Sequence, residues 1–234
     1  MKCIIPCAGE NSRMGKLPKA LLEINGKPIL QHIIDSWSHA VEYFIFVVRR
    51  NAYWTKGILD IIPENSAIVF QDEPKGLADA ILKAEAFVDG RFIVTLGDCL
   101  YKGSFDLPTN LFTHNTDMGV GVWNTMDTKE VEKSYLVDIN HKQEFITKLE
   151  EKPKLPEEDI EIYPCGMGVY FMDKRLFFYI KTLLPKIEPG GGDLTNILEA
   201  MVEDGRVIRP VYFKGNYINV TSINDIEKAE EFMK

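Results

Sequence analysis

Four residues in one loop could together hold an anion: Gly9, Arg13, Pro18 and Lys19, which follow an apolar run at the start of the chain. Arg13 offers a planar fork of hydrogen-bond donors for phosphate oxygens, and Lys19 offers a compact positive charge. Gly9 lets the backbone N–H groups of such a loop approach phosphate closely, and Pro18 stiffens the chain before the lysine. The loop contains neither a Walker A motif nor a GxGxxG dinucleotide motif. The pattern favours a phosphate site of another kind, with an ordinary surface loop as the alternative.

The loop follows the first of several apolar runs that alternate with amphipathic segments. These runs predict buried strands at 2–7, 43–48, 67–70 and 91–98. Strands that alternate with helices indicate βαβ units and a mostly parallel, Rossmann-like sheet. In such sheets ligands bind at the carboxyl ends of the strands. The loop after the first strand, Gln71 and Asp98 all fall at those ends, which makes each a candidate for the site.

A different pattern begins after residue 115. Short apolar runs joined by turns predict a mixed or antiparallel extension, with strands at 117–125, 134–140, 144–152 and 163–173. Two helices, a strand and a last helix are predicted at 174–184, 193–205, 206–213 and 222–234. Ser222, followed three residues later by Asp225, predicts a capping box at the start of the last helix.

The acidic balance of the chain limits the partners that it could bind. A formal net charge of −8 over 234 residues gives no broad positive surface for nucleic acid or for an anionic membrane. The apolar runs are too short to span a membrane, and the N-terminus lacks a signal-peptide pattern. The four cysteines match no zinc spacing and are typical of core thiols in a reducing compartment. We therefore expect a cytoplasmic protein.

The candidate phosphate loop is the first of several segments that resemble the sugar-phosphate nucleotidylyltransferases, or nucleotide-sugar pyrophosphorylases. AGENSRMGKLPKALLEINGKP is similar to the family pattern A-G-x-G-[ST]-R-[ML], a short variable run, P-K and then G-K-P. Five more segments follow in the family's order: QDEPKGLADAI, TLGD, LEEKP, CGMGVYF and YINVTSINDIEKAEEF. The short spacer between Arg13 and Pro18 most resembles the N-acetylglucosamine-1-phosphate uridylyltransferase branch. The chain departs from the pattern at Cys7, at Asn11 and in GLADA. Asn219 occupies a position that is Asp in many members but Asn in the uridylyltransferase branch. None of these departures removes a charged catalytic group.

The resemblance implies a GT-A-like nucleotidyltransferase fold and a reaction. A phosphate oxygen of a sugar 1-phosphate attacks the α-phosphorus of a nucleoside triphosphate, and pyrophosphate leaves. Catalysis would come from positioning and charge neutralisation, with Mg²⁺ as the implied cofactor.

The residues implied in catalysis are Arg13, Lys19, Asp98 and Lys152. Those implied in nucleotide binding are Ala8, Gly9, Asn11, Ser12, Gln71 and Gly76. Those implied in acceptor binding are Glu151, Lys152 and Gly168, with Glu150 as a competing carboxylate, and the implied Mg²⁺ ligands are Asp98 and Asn219.

The same resemblance implies one nucleotidyltransferase domain over residues 1–234. Its nucleotide-binding part would cover about 1–115, and a mixed-sheet sugar-binding lobe about 116–234. We expect no β-helical acyltransferase domain of the kind that some relatives carry. The expected partners are a nucleoside triphosphate and a phosphorylated small-molecule acceptor, without nucleic acid or membrane, and a homo-oligomer is left open.

Two other functions remain open from the sequence. One is a cytidylyltransferase that acts on a non-sugar phosphate such as phosphocholine or an inositol phosphate. The other is a non-catalytic sensor of nucleotide sugars, although the presence of Lys19, Asp98 and Lys152 counts against it. The short spacer favours a pyrimidine base, UTP or CTP ahead of dTTP, without excluding GTP.

Overall fold

A computed structural model describes residues 1–9, 18–50, 53–73, 75–107, 111, 118–155, 162–187 and 193–234. Within these ranges the strands are β1 (Lys2–Pro6), β2 (Glu23–Ile24), β3 (Lys27–Pro28), β4 (Tyr43–Val48), β5 (Ser66–Phe70), β6 (Phe92–Thr95), β7 (Cys99–Asp106), β8 (Met118–Thr125), β9 (Tyr135–Asn140), β10 (Phe145–Glu151), β11 (Tyr163–Met172) and β12 (Ile208–Asn219). The α-helices are α1 (Ile29–Trp37), α2 (Thr55–Leu59), α3 (Leu77–Lys83), α4 (Thr128–Val131), α5 (Arg175–Leu183), α6 (Asp193–Glu203) and α7 (Ile223–Phe232). Short 3-10 helices lie at Lys19–Leu21, Glu85–Phe87 and Leu184–Lys186.

One large sheet carries most of these strands. Its path is β5-β4-β1-β6-β11-β8-β12-β7, and β9 pairs with both β10 and β11 beside that path. The strands β5, β4, β1 and β6 run parallel to one another. From β11 onward the sheet is mixed, because β11 is antiparallel to β6 and β12 is parallel to β8 but antiparallel to β7. The predicted fold, a Rossmann-like parallel sheet with a mixed extension, is confirmed.

Both faces of β1, β4 and β6 are buried, which explains their continuous apolar runs, whereas the edge strand β5 is partly exposed. Ile4 and Ile45 point into a core under α3, α5 and α6, whereas Ile5 and Phe46 point into a second core under α1. Successive side chains of a strand alternate between faces, so each strand contributes to both cores. The helices therefore sandwich the sheet and leave the ends of its strands open for a site.

The larger differences from the sequence prediction concern β7, β12 and α2. The strand β7 was not predicted, and β12 extends to Asn219 rather than ending at residue 213. The outer half of β7 is exposed, so its side chains lack the apolar pattern of a buried strand. The sequence of residues 53–62, which ends before Pro63, also favours a helix, but only the short α2 forms there, and Gly57 lowers its helix propensity. Because β7 pairs with β12 over the full length of β7, the sheet continues across the predicted boundary near residue 115.

The four cysteines are free and buried. Burial raises the pKa of the Cys3 and Cys7 thiols well above the usual range, and Asp98 adds to the effect on Cys7. These thiols therefore pack as small neutral side chains. In the part of the chain that is described, no helix has both the length and the apolar character to cross a membrane.

The predicted capping box at the start of α7 is confirmed and forms part of a larger network. Oδ2 of Asp225 accepts hydrogen bonds from the backbone N–H and hydroxyl groups of Thr221 and Ser222, at 2.8–2.9 Å. Oδ1 accepts from Nζ of Lys133 at 3.0 Å. Burial alone would raise the pKa of Asp225, but these hydrogen bonds outweigh it and hold the pKa well below its usual range. The network ties the last helix to the loop before β9.

We predict that Asp225→Asn lowers the free energy of unfolding by about 2–3 kcal/mol, because charge-assisted hydrogen bonds to a buried carboxylate are lost. Asp60→Asn is the matched control, since Asp60 forms only an exposed pair with Lys56 and should cost about 0.5 kcal/mol or less. The measurement is urea denaturation of both variants at pH 7.

The pH dependence follows from the depressed pKa of Asp225. The unfolded chain takes up the proton near pH 4 while the folded carboxylate stays ionised, so this stabilisation is complete above about pH 4 and decreases below it. The difference between wild type and Asp225→Asn should therefore shrink as the pH falls below about 4. A difference that stays constant down to pH 3 would contradict the assigned network.

Candidate active site

The predicted nucleotide-side residues meet at the carboxyl edge of the parallel strands. The backbone N–H of Cys7 donates to Val47 O at 2.7 Å, and that of Gln71 donates to Val48 O at 2.9 Å, which extends the ladder past the ends of β1 and β5. Ala8 is buried and Gly9 is exposed immediately after β1. The sequence-based expectation that these segments share one edge is therefore realised in the fold.

An ion pair joins two of the predicted catalytic residues at this edge. Lys19 begins the short 3-10 helix after Pro18, and its Nζ lies 2.8 Å from Oδ2 of Asp98. The Lys19 and Asp98 side chains are 27% and 25% exposed, so the pair is only partly screened by water. The site thus places a cation suited to phosphate beside a carboxylate suited to a metal ion.

The end of β12 brings Asn219 to the same place. Asn219 pairs in register with Cys99 of β7, and the backbone N–H of Val220 donates to Asp98 O at 3.0 Å. The side-chain oxygen of Asn219 is buried and has no hydrogen-bond partner among the described residues. Leaving a buried acceptor unpaired costs free energy, which a bound cation would recover.

The donor set at Asp98 and Asn219 fits Mg²⁺. A carboxylate and an amide oxygen are the hard ligands that this ion prefers, and Mg²⁺ usually completes its shell with water and substrate phosphate. Among the described residues, no group of three or more His, Cys, Asp or Glu side chains is placed to hold a metal ion by itself. A metal ion at this position would therefore share its coordination with the substrates.

A cavity of about 190 Å³ opens beside Asn219. Its polar lining includes Lys133, Tyr135, Glu151, Thr195 and Asn219, and Gly168 forms part of its wall. The cavity therefore brings the predicted acceptor-side residues Glu151 and Gly168 together with the predicted metal ligand Asn219.

The alternation of β10 separates the two competing carboxylates. Glu151 lines the cavity and accepts from Oγ1 of Thr195 at 2.7 Å. Glu150 is exposed and pairs with Lys148 at 2.8 Å on the opposite face. Lys152 follows at a φ of +45°, and its Nζ lies 3.0 Å from Oε1 of Glu151. The geometry favours Glu151 over Glu150 as the carboxylate of the acceptor site and places the Lys152 ammonium beside Glu151.

Sequence reasoning missed Lys133, Tyr135 and Thr195 in the cavity wall. Tyr135 occupies an inward position of β9, and its hydroxyl is buried without a hydrogen-bond partner among the described residues. Burial raises the pKa of Tyr135 well above its usual range, and the nearby Tyr170 and Glu151 raise it further. The alternation of β9 could have indicated an inward tyrosine, but no sequence signal indicated a cavity at that point.

Gln71 and Gly76 lie together between the end of β5 and the start of α3. Gln71 is buried, and its Nε2 donates to Gly76 O at 3.1 Å and to Oδ2 of Asp79 at 2.8 Å. Gly76 has a φ of +96° and immediately precedes α3. The predicted residues Asn11, Ser12 and Arg13 lie outside the described residues.

Comparisons with known proteins bear on this arrangement. The family model described as nucleotidyl transferase matches residues 13–234. The bifunctional protein GlmU of Methanococcus maripaludis is 29% identical over 235 residues, which cover 98% of this chain but 53% of that protein. The chain thus spans about half the length of this relative. The UTP–glucose-1-phosphate uridylyltransferase AglF of Haloferax volcanii is 25% identical over 239 residues, covering 99% of this chain and 96% of AglF.

Solved structures give the same result at the level of the fold. A UDP-glucose pyrophosphorylase crystallised with UDP-glucose superposes with a TM-score of 0.77 at 26% identity, covering 98% of this chain and 97% of that one. An inositol-1-phosphate CTP transferase from T. maritima superposes with the same TM-score of 0.77 at 19% identity, covering 99% of this chain and 94% of that one. The resemblance to sugar-phosphate nucleotidylyltransferases drawn from the sequence motifs is confirmed.

Gly168 forms part of the cavity wall, and its backbone conformation requires glycine at this position. It has a φ of +70° within β11, and its carbonyl oxygen accepts from the backbone N–H of Leu96 at 2.9 Å. A Cβ at this position would lie 2.8 Å from Cδ1 of Leu96. Both the left-handed conformation and the close contact therefore require glycine.

We predict that Gly168→Ala lowers the free energy of unfolding by about 2–4 kcal/mol, because it adds a steric clash to backbone strain. Gly205→Ala is the matched control: its φ is +76°, but a Cβ there would meet no described atom within 4 Å. The control should cost about 1–2 kcal/mol. Equal costs in thermal or urea denaturation would mean that the contact with Leu96 relaxes freely.

Proposed function

The chain belongs to the nucleotidyl transferase family, and we propose that it joins a nucleoside triphosphate, preferably a pyrimidine one, to a sugar 1-phosphate. Pyrophosphate would be released. The observation that carries this proposal is the cluster of Lys19, Asp98 and Asn219 between two kinds of binding surface. Gln71 follows β5, two strands from β1 along the same edge of the sheet, and Asn219 of the cluster lines the cavity that contains Glu151.

The spacing along the edge suits an extended nucleotide. From Gln71 after β5 to Asp98 after β6 the sheet crosses β4 and β1, which amounts to about 14 Å of strand spacing. A base at Gln71 would place its triphosphate across the end of β1, near Ala8 and Gly9, and towards Lys19. The backbone N–H groups after β1 would then face the phosphates, as they do at other strand-to-helix phosphate sites.

Lys19 and the Asp98–Asn219 pair would each help to neutralise the negative charge of the reacting phosphates. Lys19 would neutralise the triphosphate and the departing pyrophosphate, together with Arg13 from the adjacent loop. Asp98 and Asn219 would hold Mg²⁺, which when bound would screen the negative charge of the two phosphate groups that must meet. The attacking phosphate is already ionised near neutral pH, so the site needs orientation more than it needs a general base.

The cavity beside Asn219 is the proposed acceptor site. Glu151, held by Thr195, would accept hydrogen bonds from hydroxyl groups of the sugar, and Lys152 would bind the acceptor phosphate. The positive φ of Gly168 favours glycine, and glycine leaves the wall of the cavity without a side chain at that point. Residues of about 1–115 would then bind mainly the nucleotide, and residues of about 116–234 mainly the acceptor. Leu77 and Leu96 are exceptions, because they belong to the first part but line the acceptor cavity.

The expected cellular setting follows from the same chemistry. The substrates are a nucleoside triphosphate and a phosphorylated small molecule, and the free buried thiols agree with a cytoplasmic location. A net charge of −8 argues against nucleic acid or an anionic membrane as a partner.

The test is pyrophosphate release by the purified protein with Mg²⁺. Five nucleoside triphosphates would be combined with sugar 1-phosphates, inositol phosphate and phosphocholine. One productive combination with a sugar 1-phosphate supports the proposal. Turnover only with CTP and a non-sugar phosphate would support the cytidylyltransferase alternative, and tight binding of nucleotide sugars without any turnover would support the sensor.

We predict that Asp98→Asn and Lys19→Ala each lower kcat by about 100-fold or more, because each removes a charge that acts on the reacting phosphates. Asp106→Asn is the control, since Asp106 forms an exposed pair with Lys214 at 2.9 Å on β7. Circular dichroism should be unchanged in all three variants. Near-normal rates in either site variant would overturn the mechanism.

We predict that Lys152→Ala raises the KM for the acceptor phosphate by about 10-fold, because one charge-assisted hydrogen bond is lost. The KM for the nucleoside triphosphate should change little. Lys154→Ala is the matched control, because Lys154 is also exposed and lies two residues further along the chain. An effect confined to the nucleoside triphosphate would contradict the assigned role.

A further inference from the structure

The side-chain amide of Gln71 is held in one orientation by two acceptors. Its Nε2 lies 3.1 Å from the backbone oxygen of Gly76 and 2.8 Å from Oδ2 of Asp79. A carbonyl oxygen and a carboxylate both accept hydrogen bonds, so the amide must turn its nitrogen towards them. The chemistry of these partners therefore distinguishes the two ends of the amide.

This orientation is costly to reverse. Gln71 is 5% exposed and Asp79 is 6% exposed, so neither group can exchange its partner for water. A flipped amide would place its oxygen against the carbonyl of Gly76 and the carboxylate of Asp79, leaving buried acceptors unpaired. Asp79 is itself fixed in the first turn of α3, with the Lys83 ammonium 3.5 Å from its carboxylate.

The fixed amide leaves one atom for a ligand. Both N–H groups of Gln71 are used within the protein, and its Oε1 forms no hydrogen bond among the described residues. Gln71 lies at the carboxyl edge of the sheet, where the base is placed in the proposed function. Towards the base, Gln71 can therefore act only as an acceptor.

We propose that Asp79 is a positioning residue that sets base specificity by making Gln71 an obligatory acceptor. Uracil and thymine carry an N–H at ring position 3 and can donate to Oε1. Cytosine carries a bare ring nitrogen there, whose lone pair would face the Gln71 oxygen. Its amino group could reach Oε1 only if the base moved along its edge. The site would therefore select UTP or dTTP over CTP, an inference that rests on the proposed function for the location of the base.

The experiment measures binding as well as turnover. Dissociation constants of UTP, CTP and 3-methyluridine triphosphate would be determined by calorimetry with the full chain, and kcat/KM by pyrophosphate release. The methyl group of 3-methyluridine replaces the ring N–H with little other change. UTP should bind about 10- to 100-fold more tightly than either of the other two, because a bound base without that N–H would cover the Gln71 oxygen without donating to it.

Asp79→Asn should reduce this discrimination, because the amide of an asparagine can either donate to or accept from Gln71. The ratio of CTP to UTP dissociation constants should fall by about 10-fold, with a corresponding change in kcat/KM. Lys83→Met is the matched control: it removes the ion pair of Asp79 but not its contact with Gln71, and the ratio should stay at the wild-type value. Thermal denaturation would verify that each variant is folded.

Several outcomes would overturn the inference. They are tighter binding of CTP than of UTP, equal binding of UTP and its 3-methyl derivative, or an unchanged ratio in folded Asp79→Asn. If that variant does not fold, the comparison of UTP with 3-methyluridine triphosphate in the wild type decides. Selective UTP binding without turnover of any acceptor would support the role of Asp79 and reject the proposed function. Turnover without base selectivity would support the proposed function and reject the role of Asp79.

Discussion

The pairing of β12 with β7 is the constraint on which the site depends. It joins a strand that directly follows Asp98 to the strand that ends at Asn219, and the hydrogen bond from Val220 to Asp98 completes the register. A shift by one residue would turn Asn219 to the opposite face of the sheet. The two oxygen ligands proposed for a metal ion therefore depend on one long-range register between distant parts of the chain.

Around this register the structure concentrates a few charges in an acidic protein. The ion pair of Lys19 with Asp98 is partly shielded, whereas several other ion pairs, such as Lys56 with Asp60, are exposed to water. Partly buried charges interact more strongly than exposed ones because water and salt screen them less. A net charge of −8 is thus compatible with binding a triphosphate, provided that local cations face it. The sign of the whole surface matters less here than the placement of a few groups.

Much of this arrangement could be predicted from the sequence, for identifiable reasons. The strands β1, β4 and β6 are buried on both faces, so their apolar runs stand out. The carboxyl-end rule then indicates Asp98 after β6, and Gln71 after the partly exposed edge strand β5. The edge strand β7 was missed because half of it is exposed. Glu150 and Glu151 could not be separated, since only the strand register decides which of two successive side chains faces inward. Thr195 and Tyr135 belong to no motif and reach the cavity only through tertiary packing.

The cavity has a property that no sequence pattern could predict. Among the described residues, two buried side-chain oxygens lack a hydrogen-bond partner, those of Tyr135 and Asn219, and both residues line this cavity. Each unpaired group costs the fold about 1–3 kcal/mol. The amide of Gln71 contrasts with them, because its nitrogen is fully used and only its oxygen is left for a ligand. The chain thus satisfies the groups that set orientation and leaves unsatisfied those that would meet substrate or metal, as expected where function outweighs stability.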